Sequence, residues 1–134
     1  MEKKDFKEYK TVSFWKEKDE DIVFFKYAPQ LEINIDTAKE IVKSRLEYTK
    51  GEQVYTLIDF TNVKLVTKEG REYMNDSEGG LKGILGGAFL SNSLVTTLFI
   101  NLYLSINKPS VPAKFFTKKE DALTWLKGLK VPAK

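Results

Sequence analysis

From Gly83 to Asn107 the chain carries no charged side chain, and the run is bounded by Lys82 and Lys108. Nothing else restricts the fold as strongly, because about 20 mostly apolar residues are enough to cross a bilayer's hydrocarbon core. The run does not read as a membrane span. Ser91, Asn92 and Ser93 fall in its middle, Thr96, Thr97, Asn101 and Ser105 follow, and Gly83, Gly86 and Gly87 precede them. The Ser-Asn-Ser cluster has the chemistry of a helix start, where a side-chain oxygen accepts a hydrogen bond from an otherwise unpaired backbone N–H. The run therefore divides into a central strand at Gly86 to Leu90, apolar on both faces, and a helix at Leu94 to Ile106. That helix is apolar over more than one stripe. The rest of the chain is amphipathic and charged, and neither end has the flanks of a membrane anchor.

Composition narrows the function classes. At 134 residues, the chain is long enough for one domain with its own core. The reading divides it into a loosely held lead-in at residues 1–10, a single domain at 11–130 and a tail at 131–134. Cysteine and histidine are both absent. Disulfides, zinc–thiolate sites, cysteine nucleophiles and histidine-based triads are thereby excluded. No apolar leader opens the chain, so a cytoplasmic protein is expected. The formal charge is +3. After Asn107 lysines outnumber acids, but that segment contains no arginine and reads as a solvated face rather than a nucleic-acid footprint.

In chain order, Thr11 to Lys16 alternates in the β manner, Asp21 to Tyr27 is rich in β-branched and aromatic residues, and with the charged run Glu17 to Glu20 as the turn between them they make an antiparallel hairpin. Leu31, Ile33 and Ile35 alternate before a helix that starts at Asp36, carries Ala38, Ile41, Val42 and Leu46 inward, and closes at Gly51. Gln53 to Phe60, with Val54, Tyr55, Leu57 and Ile58, is a short apolar strand ending in Asp59, Thr61 and Asn62. In open α/β sheets ligand residues gather beyond the carboxyl ends of strands, although Asp and Asn also serve turns. Val63 to Val66 leads into a second helix capped by Thr67, with Lys68 and Glu69 in its first turn. Glu78, Gly79 and Gly80 form a turn. Pro109 and Pro112 deliver the chain to a strand at Ala113 to Phe116. Thr117 and Glu120 form a capping box for a last helix on which Trp125 is a core anchor beside Ala122, Leu126 and Leu129.

The order of hairpin, helix, strand, helix, strand, helix, strand, helix implies an α/β fold with a mixed, mainly parallel sheet of about five strands and about four helices. Leu57 to Val63 followed by the Thr67-capped helix, together with the ending Pro112 to Thr117, Ala122, Leu123, Trp125 and Leu126, resembles the SpoIIAA-like fold of STAS domains. Within that fold it more closely resembles small bacterial STAS-like proteins of unassigned function. It spans about Thr11 to Leu129. The resemblance implies a non-enzymatic protein-interaction or regulatory module, with Asp59, Thr61, Asn62, Thr67 and Lys68 as its partner or ligand surface. In the anti-sigma-factor antagonist branch a serine at the start of the corresponding helix is phosphorylated. Here Thr67, Lys68, Glu69 and Gly70 occupy that turn, so Thr67 is the candidate phosphoacceptor, and it is equally accounted for as a cap.

The fold also resembles the lipid-binding CRAL-TRIO domain. That likeness, with the wide apolar surface of the helix after Ser93, gives an alternative: a carrier or sensor of a small hydrophobic, lipid-like ligand. Leu94, Leu98, Phe99, Leu102 and Tyr103 would form the ligand face or a homodimer face. An enzyme would need Asp59, Asp76 or Glu78 brought against Lys68 or Tyr73 in dry surroundings. The sequence concentrates no such groups, so no catalytic residue, cofactor or metal is assigned, and neither nucleic acid nor a membrane span is expected.

Overall fold

The computed structural model of the chain describes residues 3–17, 22–91 and 110–130. Six strands form one sheet in the order β1 (Lys3–Glu8), β2 (Val12–Glu17), β3 (Ile22–Tyr27), β5 (Val54–Asp59), β7 (Ile84–Leu90) and β8 (Ala113–Phe116). The pairs β1–β2 and β2–β3 are antiparallel, and the three later pairings are parallel. The expected N-terminal hairpin and mainly parallel sheet are both present. A second, two-stranded sheet joins β4 (Leu31–Ile33) to β6 (Val63–Val66) in parallel. Helices α1 (Ile35–Thr49), α2 (Lys68–Met74) and α3 (Lys119–Lys130) complete the described elements.

Strand alternation sends successive side chains to opposite faces, and the two faces carry separate cores. On one face Phe14, Val23 and Phe25 pack with Ala38 and Ile41 of α1 and Val66 of β6. On the other, Trp15, Phe24, Leu57 and Ala88 pack with Ala122 and Leu126 of α3. Trp125 joins this second core, its ring 5.6 Å from that of Phe116, as an anchor rather than an exposed platform.

Several local expectations are corrected. Lys3–Glu8 is a strand, not a loose lead-in. All six of its residues are exposed, so local apolar content could not reveal it; backbone pairing to β2 and the 2.7 Å hydrogen bond from the Tyr48 hydroxyl to the Asp5 carbonyl hold it. A bulge interrupts its register between Lys4 and Lys7, with Asp5 at φ 53°, a left-handed position that aspartate tolerates. Val63–Val66 is likewise a strand rather than a lead into α2, because its partner Leu31–Ile33 lies far away in sequence. Helix α1 is capped by Asn34, whose side-chain oxygen accepts from Thr37 N at 2.8 Å, and it ends at Lys50 in the left-handed conformation. The expected helix at 94–106, with Leu94, Leu98, Phe99, Leu102 and Tyr103, lies outside the described residues. Among the described residues no helix is long and apolar enough to cross a membrane.

One ionic contact ties α3 to the hairpin. Glu17 is 4% exposed, and its carboxylate accepts from Lys119 Nζ at 2.7 and 2.9 Å and from Trp15 Nε1 at 3.0 Å. Burial alone pushes this carboxyl up, but the bonds from Lys119 and Trp15 outweigh it and hold it below its ordinary value of 4.5. A depressed folded-state pKa contributes stability that is complete above the unfolded value and lost as pH falls through the folded one. Wild-type denaturation midpoints are therefore expected to fall as pH drops below about 4.5, and Glu17→Gln should flatten that dependence. At neutral pH Lys119→Ala should cost about 1–3 kcal/mol, because it leaves a buried carboxylate short of a donor. Urea titrations at pH 7 and pH 3.5 read both effects.

Candidate functional site

The polar residues beyond β5 are held by hydrogen bonds to backbone. Asp59 closes the strand, and its Oδ1 accepts from Thr61 N at 3.0 Å, an Asx turn. Asn62 donates from Nδ2 to the Tyr27 carbonyl at 3.0 Å, tying the turn to β3. Thr67 caps α2: its hydroxyl accepts from Gly70 N at 3.1 Å and donates to the Ile33 carbonyl at 3.4 Å. A phosphate on that oxygen would remove the donated bond, so the cap and a phosphoacceptor role compete for one atom. Lys68 and Thr61 are exposed. Asp76 accepts from Glu78 N at 2.8 Å in a second exposed turn. Among the described residues no group of three or more acidic side chains has the arrangement of a metal site.

A cavity of about 80 Å³ opens on the face covered by α1 and α2. Its sheet side is Phe25 of β3, Ile58 of β5, and Gly87 and Phe89 of β7. Ile41 of α1 and Met74 of α2 close it from the helical side, and Ala113 of β8 lies at its margin. The alternation of β5 and β7 explains the lining: Ile58, Gly87 and Phe89 point to this face, while Leu57 and Ala88 pack into the opposite core. Gly87 leaves room that a Cβ would occupy 3.2 Å from the Thr56 hydroxyl oxygen.

Into this apolar space project groups that sequence reasoning missed. Arg45 of α1 is 2% exposed and lines the cavity. Its Nη2 donates to the Gly80 carbonyl at 3.3 Å, and its Nη1 has no hydrogen-bond partner. Burial lowers its pKa from 12.5 to about 10, so it remains a cation at neutral pH. Burying a charge in this way costs folding on the order of a few kcal/mol. Arg71 and Asn75 of the α2 segment line the same cavity, and Arg71 Nε and Asn75 Oδ1 are buried without partners. Six buried side-chain polar atoms among the described residues lack a partner, and three of them lie on this cavity. No aspartate or glutamate is among its described lining residues. The signal for Arg45 was present in the sequence: it stands four residues after Ile41 and seven after Ala38, on the buried face of α1.

The architecture is shared with a solved protein. A crystal structure of an uncharacterized protein of the DUF3478 family, with a SpoIIAA-like fold, from Shewanella loihica PV-4, is similar over 86% of this chain and 91% of that one. The TM-score is 0.58 at 19% sequence identity, a likeness of fold. The SpoIIAA-like architecture that the sequence resembles is thus the one it adopts. No curated protein matches the chain. Residues 14–130 match the family described as a domain of unknown function, DUF7793, and the chain belongs to that family.

Proposed function

We propose that the protein is a non-enzymatic STAS-like binding and regulatory module whose ligand occupies the cavity between α1, α2 and the sheet. The observation that carries this reading is the cavity itself, an apolar space with a few polar groups at one end. Ligand sites are typically concave, mostly apolar and furnished with a few convergent polar groups. Size decides the ligand class. At roughly 10–15 Å³ for each water-sized occupant, the cavity admits about six non-hydrogen atoms, which suits a small molecule rather than a long acyl chain.

Phe60 lines the cavity and directly precedes the exposed turn of Thr61 and Asn62. Occupancy can therefore be read by a protein partner at the surface of Asp59, Thr61, Asn62 and Lys68. The reading needs no catalytic group.

The test is an amide-resolved NMR titration of the whole protein with the neutral probe 3-methyl-1-butanol. Saturable shifts are expected at Ile58, Gly87 and Phe89, and smaller ones at Thr61. Ala113→Leu, which puts a side chain at the cavity margin, should abolish them while the rest of the spectrum persists. Shifts that do not saturate, or that survive the substitution unchanged, would overturn the reading.

A further inference from the structure

Two arginines facing one apolar cavity, with no described carboxylate lining it, demand an explanation. A buried charge is ordinarily paired, because an unpaired one forfeits its hydration without recompense. Arg45 has one long hydrogen bond to a neutral carbonyl, and the residue is 2% exposed. Arg71 turns an unpartnered Nε to the same space, and Asn75, one helical turn further along, adds an unpartnered amide oxygen. Such an end is built for an anion, and the planar guanidinium matches a carboxylate with two parallel N–H···O bonds. The remainder of the lining is hydrocarbon.

We propose that the cavity binds a small branched-chain monocarboxylate of about four or five carbons, its carboxylate held by Arg45 and Arg71 and its alkyl body against Ile58, Gly87 and Phe89. The missing negative charge is supplied by the ligand. Asn75 completes the polar end through its amide nitrogen, the atom of that group able to donate to a carboxylate. A neutral molecule of the same shape would fill the apolar part and leave the Arg45 charge uncompensated. This inference rests on the cavity being a ligand site, and the experiment separates the two.

Calorimetric titration compares 3-methylbutanoate with 3-methylbutanamide at pH 7 and fixed ionic strength, using the full chain. The acid is expected to bind at least tenfold more tightly than the amide. Arg45→Met should bring the two within about twofold of each other while retaining the amide's affinity, and should raise the melting temperature of the ligand-free protein, because a methionine of similar reach removes an uncompensated buried charge. Arg71→Gln, on a partly exposed residue, should reduce the preference for the acid without loss of fold. Equal binding of acid and amide to the wild-type protein overturns the carboxylate inference and leaves the apolar site standing. Failure of both probes to bind overturns both.

Discussion

Replacing Gly80 by alanine is expected to destabilise the protein by about 3 kcal/mol or more, near the upper end of what overpacking does. A Cβ at this position would overlap the Met74 carbonyl oxygen and Cα. Both are backbone atoms at the end of α2, so no side-chain rotation can relieve the overlap. The peptide groups around Gly80 are also committed: its N–H donates to the Tyr73 carbonyl at 2.9 Å, and its own carbonyl accepts from Arg45. The chain must therefore move as a unit, and α2 with it. Gly51 provides the contrast. It has φ +76° and nothing within 4 Å of a built Cβ, so Gly51→Ala should cost only about 1–2 kcal/mol, the backbone penalty of a left-handed alanine. Chemical denaturation of the two variants beside wild type checks both numbers. A Gly80→Ala loss no greater than that of Gly51→Ala would show that the turn yields.

Phe14→Ala is expected to cost about 3–5 kcal/mol, the range for truncating a fully buried aromatic side chain. Phe14 has no solvent exposure, and three rings surround it. Phe25 meets it edge-on at 4.8 Å, Tyr9 edge-on at 5.6 Å, and Tyr48 lies nearly parallel at 5.2 Å. Each such pair adds about 0.5–1.5 kcal/mol to simple area burial. Truncation also loosens α1, since Tyr48 loses the surface it stacks on while its hydroxyl is tied to Asp5 in β1. Partial burial, with Asp5 close by, raises that hydroxyl's pKa to about 12. Phe14→Leu, which keeps most of the volume, should lose less than half as much. A free-energy loss below about 1 kcal/mol for the alanine variant would mean that the ring cluster is not a structural centre.

Much of this architecture can be read from residue order. Strands β2, β3, β5 and β8 announce themselves by β-branched and aromatic residues between breakers, and α1 and α3 by apolar residues at helical spacing. The Thr67 cap also follows from its local chemistry, because cap and capped N–H are three residues apart. What escaped notice is what depends on partners distant in sequence. Strand β6 is four residues long and becomes a strand only beside Leu31–Ile33. Strand β1 presents no buried side chain at all. The same limit hid the cavity. Arg45 follows a lysine and a serine and precedes a leucine and a glutamate, and in such company an arginine reads as one more solvated charge. Its period with Ala38 and Ile41 placed it inside, but only the fold shows that Arg71 and Asn75 arrive at the same space. The turn of Asp59, Thr61 and Asn62 was the reverse case, conspicuous in the sequence and largely occupied with its own backbone in the structure.

The first strand has a further consequence. Behind it lies β2, whose Phe14 and Trp15 belong to a flat, apolar ribbon of the kind that recruits a neighbouring molecule when its backbone donors and acceptors are left open. Lys3, Lys4 and Lys7, with the kink at Asp5, make β1 a poor template for that recruitment. Although it buries none of its own side chains, β1 occupies the backbone edge of β2. Trimming the chain before Tyr9 is expected to bare that edge and to favour edge-to-edge stacking of one molecule on another.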